Sequence, residues 1–224
     1  MSTVKRVGLV TIGQSPRVDV VPEIRDVLGS ADIEIVECGA LDKLSKDEVA
    51  RLAPREGEYV LVTRLRDGSE VRVARERILP LMQECIDRLE LSVDVVGLLC
   101  TGEFPELRSR KLLVEPSDLL VKVAESLKPS KLGVVVPDPA QIDLTRRKWR
   151  GVAQDIKVLS VSPYTGTLSE LRRAAEELSD RDLIVLDCIG FSREAKKVVA
   201  TASGKPVLIP RTLLGRVLRE LLEV

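Results

Sequence analysis

The sequence predicts an α/β protein made of two homologous lobes, each a four-stranded parallel sheet of flavodoxin-like type, with a β-hairpin inserted in the first. Three observations predict it. Branched apolar runs of strand length alternate with amphipathic helical runs along the whole chain, the pattern of parallel βα units. These runs recur as two sets in the same order. In both sets the third run ends in Cys-x-Gly, the place where open α/β sheets bind ligands.

The elements pair off in sequence. "RVGLVTIG" from Arg6 matches "KLGVVVPD" from Lys131: a basic residue, an apolar one, glycine, then an apolar run. "IEIVECGAL" from Ile33 matches "IKVLSVSPY" from Ile156, and "VVGLLCTGEF" from Val95 matches "LIVLDCIGF" from Leu183. "KLLVEP" from Lys111 matches "KPVLIP" from Lys205. Each of these continues into a helix, "PSDLLVKVAESL" from Pro116 and "PRTLLGRVLREL" from Pro210, with proline at the start and apolar positions at helical spacing. The first set is longer by "EYVLVTRLRDGSEVRVARER", residues 58–77. Asp67-Gly68 between two β-rich runs predicts a hairpin with a type I′ turn, at the lobe edge or over the cleft. A decorative surface insertion is the simpler explanation.

Bulk composition excludes several classes. The 35 basic and 35 acidic side chains cancel, so no field attracts nucleic acid or anionic membrane. Two phenylalanines, two tyrosines and one tryptophan leave little surface for stacking on bases. No apolar run reaches the roughly 20 residues that span a bilayer. The N-terminus enters a strand without a signal-peptide pattern, which predicts a cytoplasmic protein. Four spread cysteines with no CxxC pair then predict reduced thiols rather than disulfides. Histidine is absent, excluding Ser-His-Asp and Cys-His catalysis and histidine-based zinc sites. No paired carboxylates of metal-site type emerge, and neither a P-loop nor GxGxxG occurs, so no metal and no cofactor is expected. Charged residues at 31%, with no asparagine and abundant arginine, suit a thermostable protein.

Cys100 and Cys188 are the candidate catalytic residues, because the duplication puts each at the end of its lobe's third strand. Lobes facing each other about a pseudo-twofold axis would aim both thiols into one cleft. One thiolate could then take a proton from a carbon acid while the opposite thiol returns one, helped by backbone amides that lower a thiol pKa from about 8.5. Buried packing is the alternative for each, and it is the assignment for Cys38 and Cys85. The substrate-binding candidates are the polar loop residues. In "TIGQSPR", Gly13 allows close approach, Gln14 and Ser15 offer hydrogen bonds, and Arg17 can grip a carboxylate through two bonds. A plain strand-to-helix turn with Ser15 as N-cap explains the same loop. Thr101, Gly102 and Gly190 flank the cysteines, and Tyr164, Thr165 and Gly166 form a polar loop before a capping box of Thr167 and Glu170. Glu103 is a candidate acid/base group, or a solvated loop carboxylate.

"LVTIGQSPR", "LLVEPSDLL", "KLGVVVP", "LDCIGF" and "KPVLIPRTLLGRVLREL", in this order, resemble the AroM family, within the aspartate/glutamate racemase superfamily. The resemblance implies a cofactor-independent racemase, isomerase or decarboxylase acting on a small carboxylate through the paired cysteines. It also implies exchanged terminal helices: residues 1–116 plus 211–224 as lobe one, 117–210 as lobe two. A homodimer is its further implication. The chain departs from the racemase pattern, with Cys100-Thr101-Gly102 where racemases carry Cys-Asn-Thr, and Asp187-Cys188-Ile189 where they carry Gly-Cys-Thr. Asp187 should point to the opposite strand face, yet its charge would oppose a neighbouring thiolate. A non-catalytic carboxylate-binding or regulatory protein with structural cysteines is the alternative.

Overall fold

A computed structural model describes residues 4–29 and 32–222. The first sheet contains β1 (Lys5–Thr11), β2 (Ile33–Gly39), β5 (Val95–Leu99) and β6 (Leu112–Val114) in the order β2-β1-β5-β6. The second contains β7 (Lys131–Val136), β8 (Asp155–Ser160), β9 (Leu183–Leu186) and β10 (Val207–Leu208) in the order β8-β7-β9-β10. All pairings within both are parallel, so the two four-stranded sheets share one topology. The duplication holds at single rungs. Arg6 N–H donates to the Asp94 carboxylate at 2.7 Å, and its counterpart Lys131 N–H donates to Asp182 at 2.8 Å. One sequence match is displaced. Arg6 lies beside Glu34 and Lys131 beside Asp155, so β2 and β8 correspond two residues away from the Ile33–Ile156 alignment. Apolar runs look alike in either register, and hydrogen bonding selects the one used.

Period-two alternation divides each strand between two cores. Val7 and Leu9 face one cluster and Val10 the other; Leu132 and Val134 face one and Val135 the other. The repeated strand glycines admit a helix. A side chain at Gly8 would meet Leu89 at 3.3 Å, and one at Gly133 would meet Leu178 at 3.1 Å. Helices α2 (Lys46–Arg51) and α3 (Arg75–Leu89) cover one face of the first sheet through Val49, Met82 and Ile86. Helices α1 (Val21–Leu28) and α8 (Pro210–Leu222) cover the other, with Ile24, Leu214 and Leu218 fully buried. Helix α4 (Pro116–Leu127) leaves the first sheet and buries Leu120 and Ala124 against the second. There α5 (Ile142–Lys148), α6 (Leu168–Glu177) and α7 (Arg193–Ser203) complete the layers. A capping box of Thr167 and Glu170 starts α6 as the sequence predicts.

Two expectations are corrected. Cys38 of β2 and Cys85 of α3 form a disulfide, with Cα atoms 5.6 Å apart. Both are buried in the core, as their assignment to packing anticipates. A separation of 47 residues hides the pairing, which arises because α3 lies on the sheet face to which Cys38 points. The hairpin, β3 (Val60–Arg64) against β4 (Glu70–Ala74), closes without a type I′ turn. Leu65 pairs with Ser69, leaving Arg66-Asp67-Gly68 as a three-residue loop in which only Gly68 has positive φ, 90°. That is a type I turn followed by a left-handed glycine.

Candidate active site

Cys100 directly follows β5 and Cys188 follows β9 by one residue. They are 8% and 6% exposed, and both line one cavity of about 40 Å³ between the sheets. Its walls come from both strand ends, from the hairpin (Tyr59, Leu61, Val62, Thr63), from Gln141 and α5 (Leu144, Thr145, Lys148), and from Tyr164. At about 10–15 Å³ for each water centre, such a space holds roughly three waters.

The two thiols have repeated surroundings. Gly102 N–H donates to Cys100 Sγ at 3.3 Å, and Gly190 N–H to Cys188 Sγ at 3.5 Å. Burial nevertheless pushes Cys100 up to about 12 and Cys188 up to about 11, with the amide donors opposing it. Backbone amides therefore do not bring either thiol toward neutrality, contrary to the sequence expectation. Loss of solvation outweighs one amide each. Both are protonated at neutral pH.

Asp187 also lines the cavity. Its carboxylate lies on the side of Trp149, in the core opposite the one that holds Cys188, as strand alternation predicts. Cys188 N–H bonds back to Leu186 O at 3.0 Å, so the chain turns here. Lys148 Nζ donates to both Asp187 oxygens at 2.9 and 3.0 Å, and Trp149 Nε1 to one at 2.8 Å. Lys148 also reaches Thr101 O at 3.0 Å, and the Thr101 hydroxyl donates to Asp187 O at 3.1 Å. One lysine thus joins the residue after Cys100 to the residue before Cys188. Among the described residues, Lys148 and Asp187 are the only charged ones in the cavity wall.

The loop after β1 is held elsewhere. Ser15 donates to Asp42 through its amide and hydroxyl at 2.7 and 2.6 Å. Gln14 donates to Leu41 O and accepts from Arg66 N–H at 3.0 Å, while Gly13 O accepts from Leu41 N–H. None of these three lines the cavity. Ser15 caps no helix, since α1 begins at Val21 with Val20 as N-cap. Arg17 does bind a carboxylate through two bonds, but it is that of Asp19, both at 2.8 Å. Its remaining Nη2 contact is the Tyr164 hydroxyl at 3.0 Å, the one route by which it reaches the cavity. Thr165 and Gly166 line a separate surface groove with Ser162 and Glu170. Thr101, Gly102 and Tyr164 lie at the cavity, and Gly190 contributes its amide to Cys188. Glu103 is a loop residue outside the cavity wall.

The hairpin does more than decorate a surface. Beyond forming one wall, it is tied to the second sheet's loops. Arg72 pairs with Asp138 at 2.9 Å, Gln141 Nε2 donates to Val60 O at 2.9 Å, and the Ser162 hydroxyl bonds Glu70. Lys148, Gln141, Thr145 and Tyr59 escape a reading of the sequence alone. Lys148 sits in the charged run "RRKWR", which resembles a solvated helix end; its only signal is the adjoining tryptophan. Among the described residues no three Cys, Asp or Glu side chains converge as a metal site, and no helix is long and apolar enough to cross a membrane.

Solved structures share this fold over 97% of the chain. The maleate isomerase Iso from Pseudomonas putida S16 aligns with a TM-score of 0.60 at 15% identity, with 92% of that chain covered. The glutamate racemase from Aquifex pyrophilus aligns at 0.58 and 17% identity, with 84% covered. Unliganded arylmalonate decarboxylase aligns at 0.55 and 14%, with 92% covered. No curated protein matches the sequence. The AroM protein family profile matches residues 7–222, from within β1 to the end of α8, and the chain belongs to that family.

Proposed function

We propose that the protein is a cofactor-independent enzyme of the racemase, isomerase or decarboxylase type, acting on a small carboxylate between Cys100 and Cys188. The observation that carries this reading is the meeting of two duplicated thiols at one buried cavity, each beside a glycine amide. In the racemase form, a thiolate takes the proton from the carbon next to the carboxylate and becomes a thiol. The opposite thiol gives its proton to the other face of the carbanion and becomes the thiolate. The names of the aligned structures, an isomerase, a racemase and a decarboxylase, support the same class. Lobe one is taken as 1–116 plus 211–224 and lobe two as 117–210, with the site between them, in a cytoplasmic homodimer.

Screening small mono- and dicarboxylates in deuterated water tests it. Deuterium should enter the substrate carbon with the unmutated protein and fail to enter with Cys100→Ala or Cys188→Ala. Exchange that survives both substitutions would sink the assignment. The raised thiol pKa values favour a second reading, a carboxylate-binding protein without turnover. Ligand-dependent thermal stabilisation with no exchange would select it.

A further inference from the structure

We propose that Gln141 and Thr63 select the ligand of this cavity, and that the ligand is a small hydroxy acid, a carboxylate that also carries an O–H. This rests on reading the cavity as a carboxylate site. Buried polar groups in folded proteins nearly always find partners. Among the described residues three buried side-chain atoms have no hydrogen-bond partner: Thr63 Oγ1, Gln141 Oε1 and Arg181 Nη1. Arg181 Nη1 is nonetheless ion-paired with Asp155 at 2.7 Å. The other two belong to residues that line the cavity shared by the thiols.

They reach it from opposite halves of the chain. Thr63, 0% exposed, comes from β3 of the hairpin, and Gln141 ends the short turn Pro139–Gln141 after β7. Leaving such a group unmet costs about 1–3 kcal/mol, so a ligand that satisfies both relieves that penalty. The Gln141 amide has a fixed direction. Its Nε2 donates to Val60 O at 2.9 Å, and turning the amide over would set two carbonyl oxygens against each other. Its open atom is therefore an acceptor, which a carboxylate alone cannot meet. An O–H can.

The charges of the wall do not alter this. Lys148 directs its protons to both Asp187 oxygens and to Thr101 O, and Asp187 also accepts from Trp149. Donors for a carboxylate come from hydroxyls instead. Thr63 offers one, and Tyr59, whose oxygen accepts from Glu103 N–H at 3.3 Å, keeps its own proton to give. An ammonium group would bring three N–H bonds and a charge to a wall with no unpaired anion among the described lining residues. The geometry thus favours a hydroxyl over an amine. Room for about three waters suits an acid of about two to four carbons.

Isothermal titration calorimetry of the full chain with D- and L-lactate, propionate and alanine tests the selection. At least one lactate should bind about tenfold or more tighter than propionate, and alanine no tighter than propionate. Gln141→Met should abolish the preference and leave propionate unchanged, whereas a merely structural role would weaken both acids alike. Thr63→Val should weaken both, yet leave the unliganded protein as stable or more so, because an unmet hydroxyl has gone. A destabilised Thr63→Val would show that water already satisfies that hydroxyl, against the proposal. Propionate matching lactate, alanine preferred, or a preference that survives Gln141→Met would overturn it. If Gln141→Met does not fold, the ratio of lactate to propionate in the unmutated protein decides. No binding by any of these acids would sink the carboxylate site together with the selection. A lactate preference without deuterium exchange would keep the selection and lose the catalytic reading.

Discussion

Lys148 and Asp187 form an ion pair at 2.9 Å with side chains 5% and 4% exposed, and the pair joins the two strand ends that carry the thiols. Removing one partner leaves a buried charge. Lys148→Met should cost about 3–5 kcal/mol by denaturant titration, and adding Asp187→Leu should recover most of it. A loss from Lys148→Met below about 1 kcal/mol would mean that water reaches the pair.

The thiols predict an alkaline weakness. Their folded pKa values, about 12 for Cys100 and about 11 for Cys188, lie above the unfolded thiol value. The sign follows: folding favours the protonated form, so this stability is complete below about pH 8.5 and falls as pH rises toward the folded values. Each thiol should contribute a slope of about 1.4 kcal/mol per pH unit in that window. Cys100→Ala with Cys188→Ala should flatten the decline; an unchanged decline would place its origin elsewhere.

The hairpin's ties to the second sheet should control access to the cavity. Replacing Arg72 and Glu70 together by alanine removes the contacts to Asp138 and Ser162. Opening of the wall should raise iodoacetamide reactivity at Cys100 and Cys188 about threefold or more, at a pH where the intact protein reacts slowly. Unchanged rates would show another route inward.

Only Cys100 and Cys188 are free thiols, so thiol counting in denaturant without reductant should give two and with reductant four. Closing a loop across 47 residues stabilises by about 4 kcal/mol in the chain-entropy view, and reductant should lower the melting temperature accordingly.

Arg211, 1% exposed at the start of α8, donates to Ile189 O, Gly190 O and Asp19 O. Arg211→Met strands three carbonyls and should cost about 2–4 kcal/mol. Hydrogen exchange should rise first at residues 188–190; a uniform rise across both sheets would refute the local tie.

The sheets, their order and the paired cysteines are legible because hydrophobic alternation and strand-end signals are local, and a duplication states them twice. The polar lining is not legible. Asp187 finds its partner 39 residues away, and Lys148 enters from a helix end where Arg146, Arg147 and Arg150 are exposed. Gln14, Ser15 and Arg17 carry suitable chemistry, but the sequence does not reveal that Arg66, Asp42 and Asp19 already occupy them. The hairpin's turn and the Cys38–Cys85 bond likewise depend on which face another element covers.

The Arg211 contacts also constrain synthesis. The loop bearing Cys188 gains three of its restraints from α8, which emerges after the strands of both sheets. A nascent chain on the ribosome can build both sheets early, since their pairings need only residues already emerged. Its sulfur geometry therefore waits for α8 to dock.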